Sequence, residues 1–478
     1  MLLKKPKLPN SEIKTGPYAT LELLPVPVEK RTWGYFSFFS MWFNTTACVT
    51  TFMVGSSMIN AGLDIATSFC ILVISTLIMG VLILLNSHSG TKYGIPYSVQ
   101  TRAAFGIRGS QIPCFIRAIV AAGWYGILLW IGASALDAFA FFLLPTWSIL
   151  PFHMWYWFPV FLIINMIAIM HFKPEKSNKV IVLISNISAP LLLIGGIIWC
   201  MLLYQKIASF GMILNSYPSV SGSTNWALIS TMLVPVAFHW STVGLNVTDY
   251  SRFARSQKKQ ILGQLIGLLV GQVVYGGIGI IVSFMGLMVY NKSIWNPVEI
   301  TGDLGSFFAI FMLVTIVLTT LKTTIVADIS TINMTLINMC PKKINWLRAT
   351  VISAVIGIAL QPWVLLHNWS DYIFTWITGY GIFLGAILGI LIVDYYILRK
   401  RALILRDLYR AGSNYWYQNG VNWIAIIALV SGIMFAFTSK IFPWLNYLYY
   451  YGPITALAVS SIVYLVITVF RKAVLIKK

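Results

Sequence analysis

Long apolar segments, separated by short polar and charged stretches, run through nearly the whole chain. A helix needs roughly 20 apolar residues to cross a hydrocarbon core of about 30 Å, and twelve segments approach or exceed that length. They predict membrane-spanning helices at residues 35–57, 66–86, 113–142, 153–171, 180–203, 228–247, 262–290, 305–338, 347–366, 371–396, 421–439 and 449–470. The hydrophobic pattern therefore predicts an all-α integral membrane protein.

The composition favours the same class of protein. Of the 478 residues, 58% are hydrophobic and 10% are charged, whereas about 25% are charged in a typical soluble domain. So few charges cannot cover a water-facing surface, and most of the surface must therefore face lipid. The five cysteines are scattered singly, without a CxxC pair or a histidine cluster, which argues against a disulfide framework or a zinc site. We expect no cofactor.

The chain is strongly basic, with 33 Lys and Arg against 13 Asp and Glu. In a soluble protein this excess would indicate nucleic-acid binding. Here most basic residues, Arg117 included, are assigned to one side of the membrane once the N-terminus is placed in the cytoplasm. The exceptions are Lys206, Lys292 and Lys440 outside, and Lys322 within a span. By the positive-inside rule both termini are cytoplasmic, and no nucleic-acid partner is expected.

The first 30 residues are polar and lack the apolar core of a signal peptide. We therefore expect a multi-pass protein of the cell inner membrane that inserts through its first span. Nothing in the sequence indicates its oligomeric state.

A few polar residues lie deep inside predicted spans, where an ionisable group is costly and is a candidate functional residue. They are Lys322, Asp328 and His239. The first span carries a run of polar and β-branched residues at 44–51, and the sixth is interrupted by polar residues, Gly and Pro at 235–244. Either patch alone is typical of helix packing. Together, five spans apart, they predict a transporter site at two interrupted helices.

Several stretches, in order along the chain, resemble the nucleobase cation symporter-1 family, which carries nucleobases and related heterocycles. They are LLPVPVEKRTWG (Leu23 to Gly34), TKYGIPYSVQTRAAFGIRGSQIP (Thr91 to Pro113), GWYGILLWIGA (Gly123 to Ala133), LNVTDYSRFARS (Leu245 to Ser256), WNPVEI (Trp295 to Ile300) and VDYYILRKRALILRDLYR (Val393 to Arg410). The resemblance implies a leucine-transporter-type fold with twelve transmembrane helices. In that fold two five-helix repeats have inverted topology, helices 1 and 6 are broken, and two extra helices follow.

This fold implies four regions of the chain. Residues 1–32 form a cytoplasmic N-terminal tail, 33–204 the first inverted repeat and 205–398 the second. Residues 399–478 hold a cytoplasmic loop, helices 11 and 12 and a short cytoplasmic C-terminus. In the seventh predicted span, Gly263, Gly267 and Gly271 have the spacing that lets helix backbones approach closely, and we expect them to pack helices together.

The resemblance also implies which residues contact the substrate. In similar transporters a planar heterocycle lies between a Trp of helix 3 and a Trp of helix 6, and these positions match Trp124 and Trp240. An indole face stacks on a flat ring with little loss of conformational entropy. Cys48, in the interrupted first span, is assigned to the same site. The alternative is that both indoles serve only packing or the lipid interface.

Three positions depart from the family pattern. Leu128 replaces a Gln that hydrogen-bonds the heterocycle, Asp328 replaces an Asn with the same role, and His239 replaces a small residue. An ionised Asp only accepts hydrogen bonds, so we expect a ring that donates N–H groups, and the change favours a cationic or amino-substituted ring. Alternatively, Asp328 is neutral, or pairs with Lys322 or His239 for structural reasons.

The cation site departs as well. In sodium-dependent relatives the ion is held by groups that match the carbonyls of Asn44, Ala47 and Thr319 and hydroxyls at positions 322 and 323. Here Thr323 keeps its hydroxyl, but Lys322 replaces the other one. An ammonium can take the place of sodium against these oxygens. We expect transport that is proton-coupled or uncoupled; the alternatives are a structural Lys322 and a sodium-coupled permease.

These observations predict a secondary active importer of a nucleobase-like heterocycle that works by alternating access. Its partners are a small heterocycle and the lipid bilayer, and the coupling ion is a proton or sodium. A hydantoin or allantoin permease and a thiamine or other vitamin permease are the open alternatives. An enzyme is not expected, because no P-loop, nucleophile elbow or metal motif is present. A channel, unlike a carrier, would show flux that does not saturate.

Overall fold

The structure is a computed structural model that describes residues 18–19, 23–171, 179–207, 226–292, 294–298, 306–339 and 343–476. These residues are almost entirely helical, and β pairing within them is limited to isolated bridges, Trp33 with Ala254 and Gln418 with Val421. The prediction of an all-α protein is confirmed.

The main helices are numbered here in chain order. They are α1 (Tyr35–Thr46), α2 (Val49–Asn60), α3 (Ile65–Tyr93), α4 (Tyr97–Phe105), α5 (Gln111–Leu143), α6 (Met154–His171), α7 (Lys179–Lys206), α8 (Trp226–Phe238), α9 (Ser241–Leu245), α10 (Gln257–Tyr290), α11 (Ser306–Thr323), α12 (Ser330–Met339), α13 (Trp346–Ala359), α14 (Thr378–Ile392), α15 (Trp423–Ile441) and α16 (Gly452–Ile476). Short helical turns lie at Val28–Lys30, Pro145–Ile149, Thr248–Ser251, Pro362–Leu365, Leu405–Tyr409 and Pro443–Tyr451, and π-helical turns at Thr324–Ile329, Asp371–Ile377 and Val393–Leu398.

Eight helices of the described residues are long and apolar enough to cross a membrane. They are Ile65–Tyr93, Gln111–Leu143, Ile187–Lys206, Gln257–Tyr290, Ser306–Thr323, Asp371–Leu398, Trp423–Ile441 and Pro443–Arg471. The predicted spans 35–57 and 228–247 are each divided in two, and the spans 153–171 and 347–366 hold shorter helices. The chain is therefore a multi-pass membrane protein by helix length and hydropathy.

The first break in helical geometry lies between α1 and α2. Ala47 has ψ 72° and Cys48 is fully extended at φ −146° and ψ 158°. Before the break, the Thr45 and Thr46 hydroxyls donate to backbone carbonyls three or four residues earlier, a bond that often bends helices. Because α1 ends at Thr46, carbonyls of its last turn have no helical N–H donor, and they are available to other donors.

The second break lies between α8 and α9, at His239 and Trp240. Trp240 has φ −91° and ψ 6°, outside helical geometry. Pro235, within α8, has no N–H group to continue the helical hydrogen bonds. The Tyr380 hydroxyl of α14 lies 3.2 Å and 3.0 Å from the carbonyl oxygens of Phe238 and His239. This side chain stabilises carbonyls that the break leaves without helical partners.

Small residues of α10 bring that helix against α1. A methyl group added at Gly263 would lie 2.5 Å from the Tyr35 carbonyl oxygen, and one at Gly267 would lie 2.6 Å from that of Phe39. Gly271 faces Thr46 in the same way. Only glycine permits this approach, so the three glycines have the packing role that their spacing predicts.

Candidate functional site

A cavity lies beside the breaks of both interrupted helices and encloses about 480 Å³, including its open mouth. It is lined by Thr45, Cys48, Thr50, Arg117, Trp124, Leu128, His239, Trp240, Thr242, Val243, Thr323 and Asp328. The six residues assigned to the substrate from the sequence all belong to this lining. The cavity therefore joins α1 and α2, α5, the α8–α9 break and the π-helical turn after α11.

Two indole rings and an imidazole form the aromatic part of the lining. The ring centroids of Trp124 and His239 are 5.4 Å apart, and those of His239 and Trp240 are 4.7 Å apart, both edge to face. Neither nitrogen of the buried imidazole has a hydrogen-bond partner within the described residues. The imidazole therefore contacts both indoles and keeps its polar atoms free for a ligand.

Trp240 is held by a hydrogen bond that the sequence analysis missed. Its indole Nε1 donates to Oε1 of Gln272 on α10 at 2.7 Å, and both side chains are buried. Trp42 meets the same indole edge to face, with centroids 6.2 Å apart. The plane of the Trp240 ring is thus fixed before any ligand binds.

Trp124 is surrounded by aromatic side chains from the segment that ends in α14. Tyr372, Trp376 and Tyr380 meet its ring edge to face, with centroids 6.1, 5.8 and 5.8 Å away. Their spacing of four residues places them on one face of the helix. A pattern of aromatic residues at this spacing was the available signal, but it is also typical of plain core packing.

Lys322 lies against the carbonyls at the break between α1 and α2. Its ammonium donates to the carbonyl oxygen of Asn44 at 2.9 Å and to that of Ala47 at 3.2 Å. Nearby, the Thr323 hydroxyl donates to the Thr319 carbonyl oxygen at 2.8 Å. The five residues assigned to a cation site thus lie together, with an ammonium against the two helix-break carbonyls.

Asp328 lies on the π-helical turn Thr324–Ile329 and is buried, with 6% of its surface exposed. Its Oδ2 atom has no hydrogen-bond partner among the described residues. Among the residues that the structure describes, Asp328 forms no ion pair with Lys322 or His239 at a distance of 4 Å or less. The carboxylate is therefore available to a group that enters the cavity.

Arg117 was counted among the basic residues of the cytoplasmic side from the sequence, and it was not recognised as a candidate site residue. It lies on α5 with 2% of its surface exposed and lines the cavity. Arg117 precedes Trp124 by seven residues, two helical turns, and both side chains therefore lie on one face of α5. This spacing, within a predicted span, was the signal that could have identified it.

The described residues contain no group of three or more His, Cys, Asp or Glu side chains that could hold a metal ion. The cavity offers two indole faces, several hydroxyl groups, the carboxyl group of Asp328 and the guanidinium of Arg117. Such a lining suits a flat ring with polar edges.

Comparisons with known proteins agree on the class of protein. A profile of the family described as permease for cytosine/purines, uracil, thiamine, allantoin matches residues 25–460. Purine-uracil permease NCS1 of Arabidopsis thaliana is 33% identical over 86% of this chain and 70% of its own length. The allantoin permease of Bacillus subtilis is 28% identical over 96% of this chain and 95% of its own.

A solved structure shows the same fold. Mhp1, a nucleobase-cation-symport-1 family transporter in a closed conformation with bromovinylhydantoin bound, matches with a TM-score of 0.76. The sequence identity is 22%, and the match covers 94% of each chain.

The fold, the cavity beside two helix breaks and the relatives define a membrane permease and not an enzyme. The chain belongs to the family of permeases for cytosine/purines, uracil, thiamine and allantoin. The resemblance carried by the sequence motifs is thereby confirmed.

Proposed function

We propose that this permease is a secondary active importer of a nucleobase-like heterocycle, which it carries by alternating access about the cavity. The observation that supports this most strongly is the convergence of Trp124, Trp240 and Asp328 on one cavity beside both helix breaks. In transporters, interrupted helices near the membrane midplane bind the substrate with free backbone and side-chain groups.

Within the cavity, Trp124 and Trp240 stack on the faces of the ring, and Asp328 accepts a hydrogen bond from it. His239 adds a polar contact, while Leu128 and Cys48 complete the wall. Two indoles offer a large flat contact area with few rotatable bonds, which lowers the entropy lost on binding. The polar groups then decide which ring binds.

Transport proceeds without sodium, because Lys322 occupies the cation site. Support comes from its hydrogen bonds of 2.9 Å and 3.2 Å to the carbonyls of Asn44 and Ala47. Together with Thr319 and Thr323, these groups are the ones that correspond to the sodium ligands of similar transporters. Transport is then either proton-coupled or uncoupled.

The proposed fold has twelve membrane spans, and residues 33–204 and 205–398 form its two inverted repeats. The two breaks, in the first and sixth predicted spans, support it. Residues 1–32 form the N-terminal tail, and residues 399–478 form a cytoplasmic loop and the last two spans. The one-sided distribution of basic residues supports cytoplasmic termini in the inner membrane.

A thermal-shift screen of the purified protein tests this function. The panel contains nucleobases, hydantoins, allantoin and ring-containing vitamins, each with and without sodium. A ligand that binds only the folded state raises the unfolding temperature. We expect at least one heterocycle to raise the unfolding temperature equally with and without sodium. Trp124→Ala should abolish this rise.

The matched control is Trp444→Ala, since Trp444 is 72% exposed and outside the cavity. It should keep the full shift. A shift that requires sodium would contradict the coupling proposal, and no shift with any ring would contradict the substrate class.

A further inference from the structure

The guanidinium of Arg117 is buried in the cavity wall with unused donors. Its Nη2 atom donates to Oδ1 of Asn246 at 3.2 Å, but Nε and Nη1 have no acceptor among the described residues. Nearby Asp249 accepts hydrogen bonds from the Tyr97 backbone and the Asn246 amide, and among the described residues it forms no ion pair with Arg117 within 4 Å. A guanidinium has only donors, so its missing partner must be an acceptor.

Asp328 has the opposite requirement in the same cavity. Its buried Oδ2 atom has no hydrogen-bond partner within the described residues, and a carboxyl oxygen can accept a hydrogen bond. Among the described residues, Asp328 and Arg117 form no ion pair within 4 Å of each other, although both line the cavity. Neither group therefore satisfies the hydrogen bonds of the other, and a ligand in the cavity can bind both.

We infer that Arg117 determines the substrate specificity of this cavity, by donating to a ring carbonyl oxygen while Asp328 accepts from the adjacent ring N–H. This inference rests on the proposed function, because it concerns the same cavity. It makes the substrate an oxo-heterocycle, a ring whose edge presents a C=O beside an N–H.

A ring that carries an amino group in place of this carbonyl does not fit, because its amino group faces the guanidinium donor to donor. A cationic ring is repelled by the fixed positive charge of Arg117. The expectation from Asp328 and Leu128 alone, that a cationic or amino-substituted ring is favoured, is thus reversed once Arg117 is placed in the wall.

The other polar and apolar groups of the wall do not discriminate in this way. A neutral imidazole such as that of His239 offers one donor and one acceptor, and it therefore fits either kind of ring. Leu128 contributes no hydrogen bond. The discrimination between a carbonyl and an amino group therefore falls to Arg117.

Binding of matched pairs of rings to the purified full-length protein tests the inference. Uracil is compared with 2,4-diaminopyrimidine, and hypoxanthine is compared with adenine, by thermal-shift titration, because the amino member of each pair has no ring carbonyl. Thiamine serves as the cationic ring. A buried site that hydrogen-bonds a substrate group discriminates strongly against an analogue that lacks it. We expect the oxo member of each pair to bind about tenfold tighter or more, and thiamine not to bind.

Two variants of Arg117 separate its charge from its hydrogen bonds. Arg117→Leu removes both and should bring the oxo-to-amino affinity ratio close to one, by weakening the oxo ring. Arg117→Lys keeps the charge but loses the fork of donors, and the ratio should fall part of the way. Arg108→Leu is the matched control, because Arg108 is exposed and packs over Trp416 instead; its ratio should equal that of the wild type.

The inference is overturned if amino or cationic rings bind the wild type as tightly as oxo rings, or if the ratio survives in Arg117→Leu. Should that variant not fold, an unchanged ratio in Arg117→Lys has the same meaning. Binding without preference overturns this inference alone. Absence of binding by every ring overturns the proposed function, and the inference with it.

Discussion

At the scale of one residue, the proposal that transport does not use sodium rests on Lys322. Its ammonium donates to the carbonyls of Asn44 and Ala47, which the end of α1 leaves without helical partners. A small metal cation would be held by the same oxygens. Occupancy by the side chain and occupancy by sodium therefore exclude each other.

Replacing the ammonium with a hydroxyl should open the site to sodium. In Lys322→Ser two buried carbonyls lose a charged donor, at a cost of about 1 to 3 kcal/mol each, and the unfolding temperature in potassium chloride should fall. Sodium can then bind the freed carbonyls and the introduced hydroxyl. We expect sodium chloride at equal ionic strength to restore much of the lost stability, measured as the unfolding temperature without substrate.

The wild type and Lys440→Ser, which changes an exposed lysine over the Tyr449 ring, should melt equally in both salts. A wild-type protein that is stabilised by sodium would argue that Lys322 does not occupy the site. So would a Lys322→Ser variant that is indifferent to sodium and as stable as the wild type.

The sequence singled out the ionisable residues that are unusual inside a membrane. It did not indicate the residues that hold the side chains of the cavity in place. Lys322, Asp328 and His239 stand out because buried charge and imidazole are costly in lipid. Gln272 does not, because a polar residue in a long helix shows its role only when its hydrogen bond to Trp240 is seen. Arg117 was missed since it lies near a predicted span end, where basic residues usually face the cytoplasm.

At the scale of helices, the two breaks organise the site. The polar runs in the first and sixth predicted spans indicated both interruptions, and the breaks fall within these runs, at Ala47–Cys48 and at His239–Trp240. The Ser241 hydroxyl, three residues along the chain, donates to the Phe238 carbonyl, but other groups that stabilise the free carbonyls come from distant helices. Tyr380 follows its acceptors by about 140 residues, and no local pattern connects them.

Removing the Tyr380 hydroxyl should destabilise the α8–α9 break. In Tyr380→Phe the His239 carbonyl loses its side-chain donor, while the Phe238 carbonyl keeps the Ser241 hydroxyl at 2.6 Å and the ring stays packed. The expected loss in the free energy of unfolding is about 1 to 2 kcal/mol, seen as a lower unfolding temperature in detergent.

The matched control is Tyr156→Phe, since Tyr156 is 54% exposed at the start of α6. Its unfolding temperature should be unchanged. Equal unfolding temperatures for Tyr380→Phe and the wild type would mean that this hydroxyl does not support the break.

At the scale of the whole molecule, the hydrophobic pattern identified the class of protein but not the lengths of its helices. The breaks explain part of the difference between twelve predicted spans and eight long helices in the described residues. α1 and α2 have 12 residues each and α8 has 13, which is too short to span alone. A continuous apolar segment in sequence is thus compatible with an interrupted helix that exposes backbone groups to a cavity.

The cavity lies beside both helix breaks, and the proposed function places the ring there, between two repeats that move against each other. In that function, substrate movement depends on the cavity aromatics and is indifferent to sodium. Both properties appear in one transport assay with purified protein in lipid vesicles.

The most direct measurement is uptake of radiolabelled uracil, hypoxanthine or allantoin into such vesicles, with and without an imposed sodium gradient. We expect uptake of at least one ring to saturate with concentration and to be accelerated by unlabelled substrate inside the vesicles. We also expect the rate to be the same with and without the sodium gradient, and Trp124→Ala to abolish uptake. Uptake that the sodium gradient drives, or flux that rises linearly without saturation, would contradict the account.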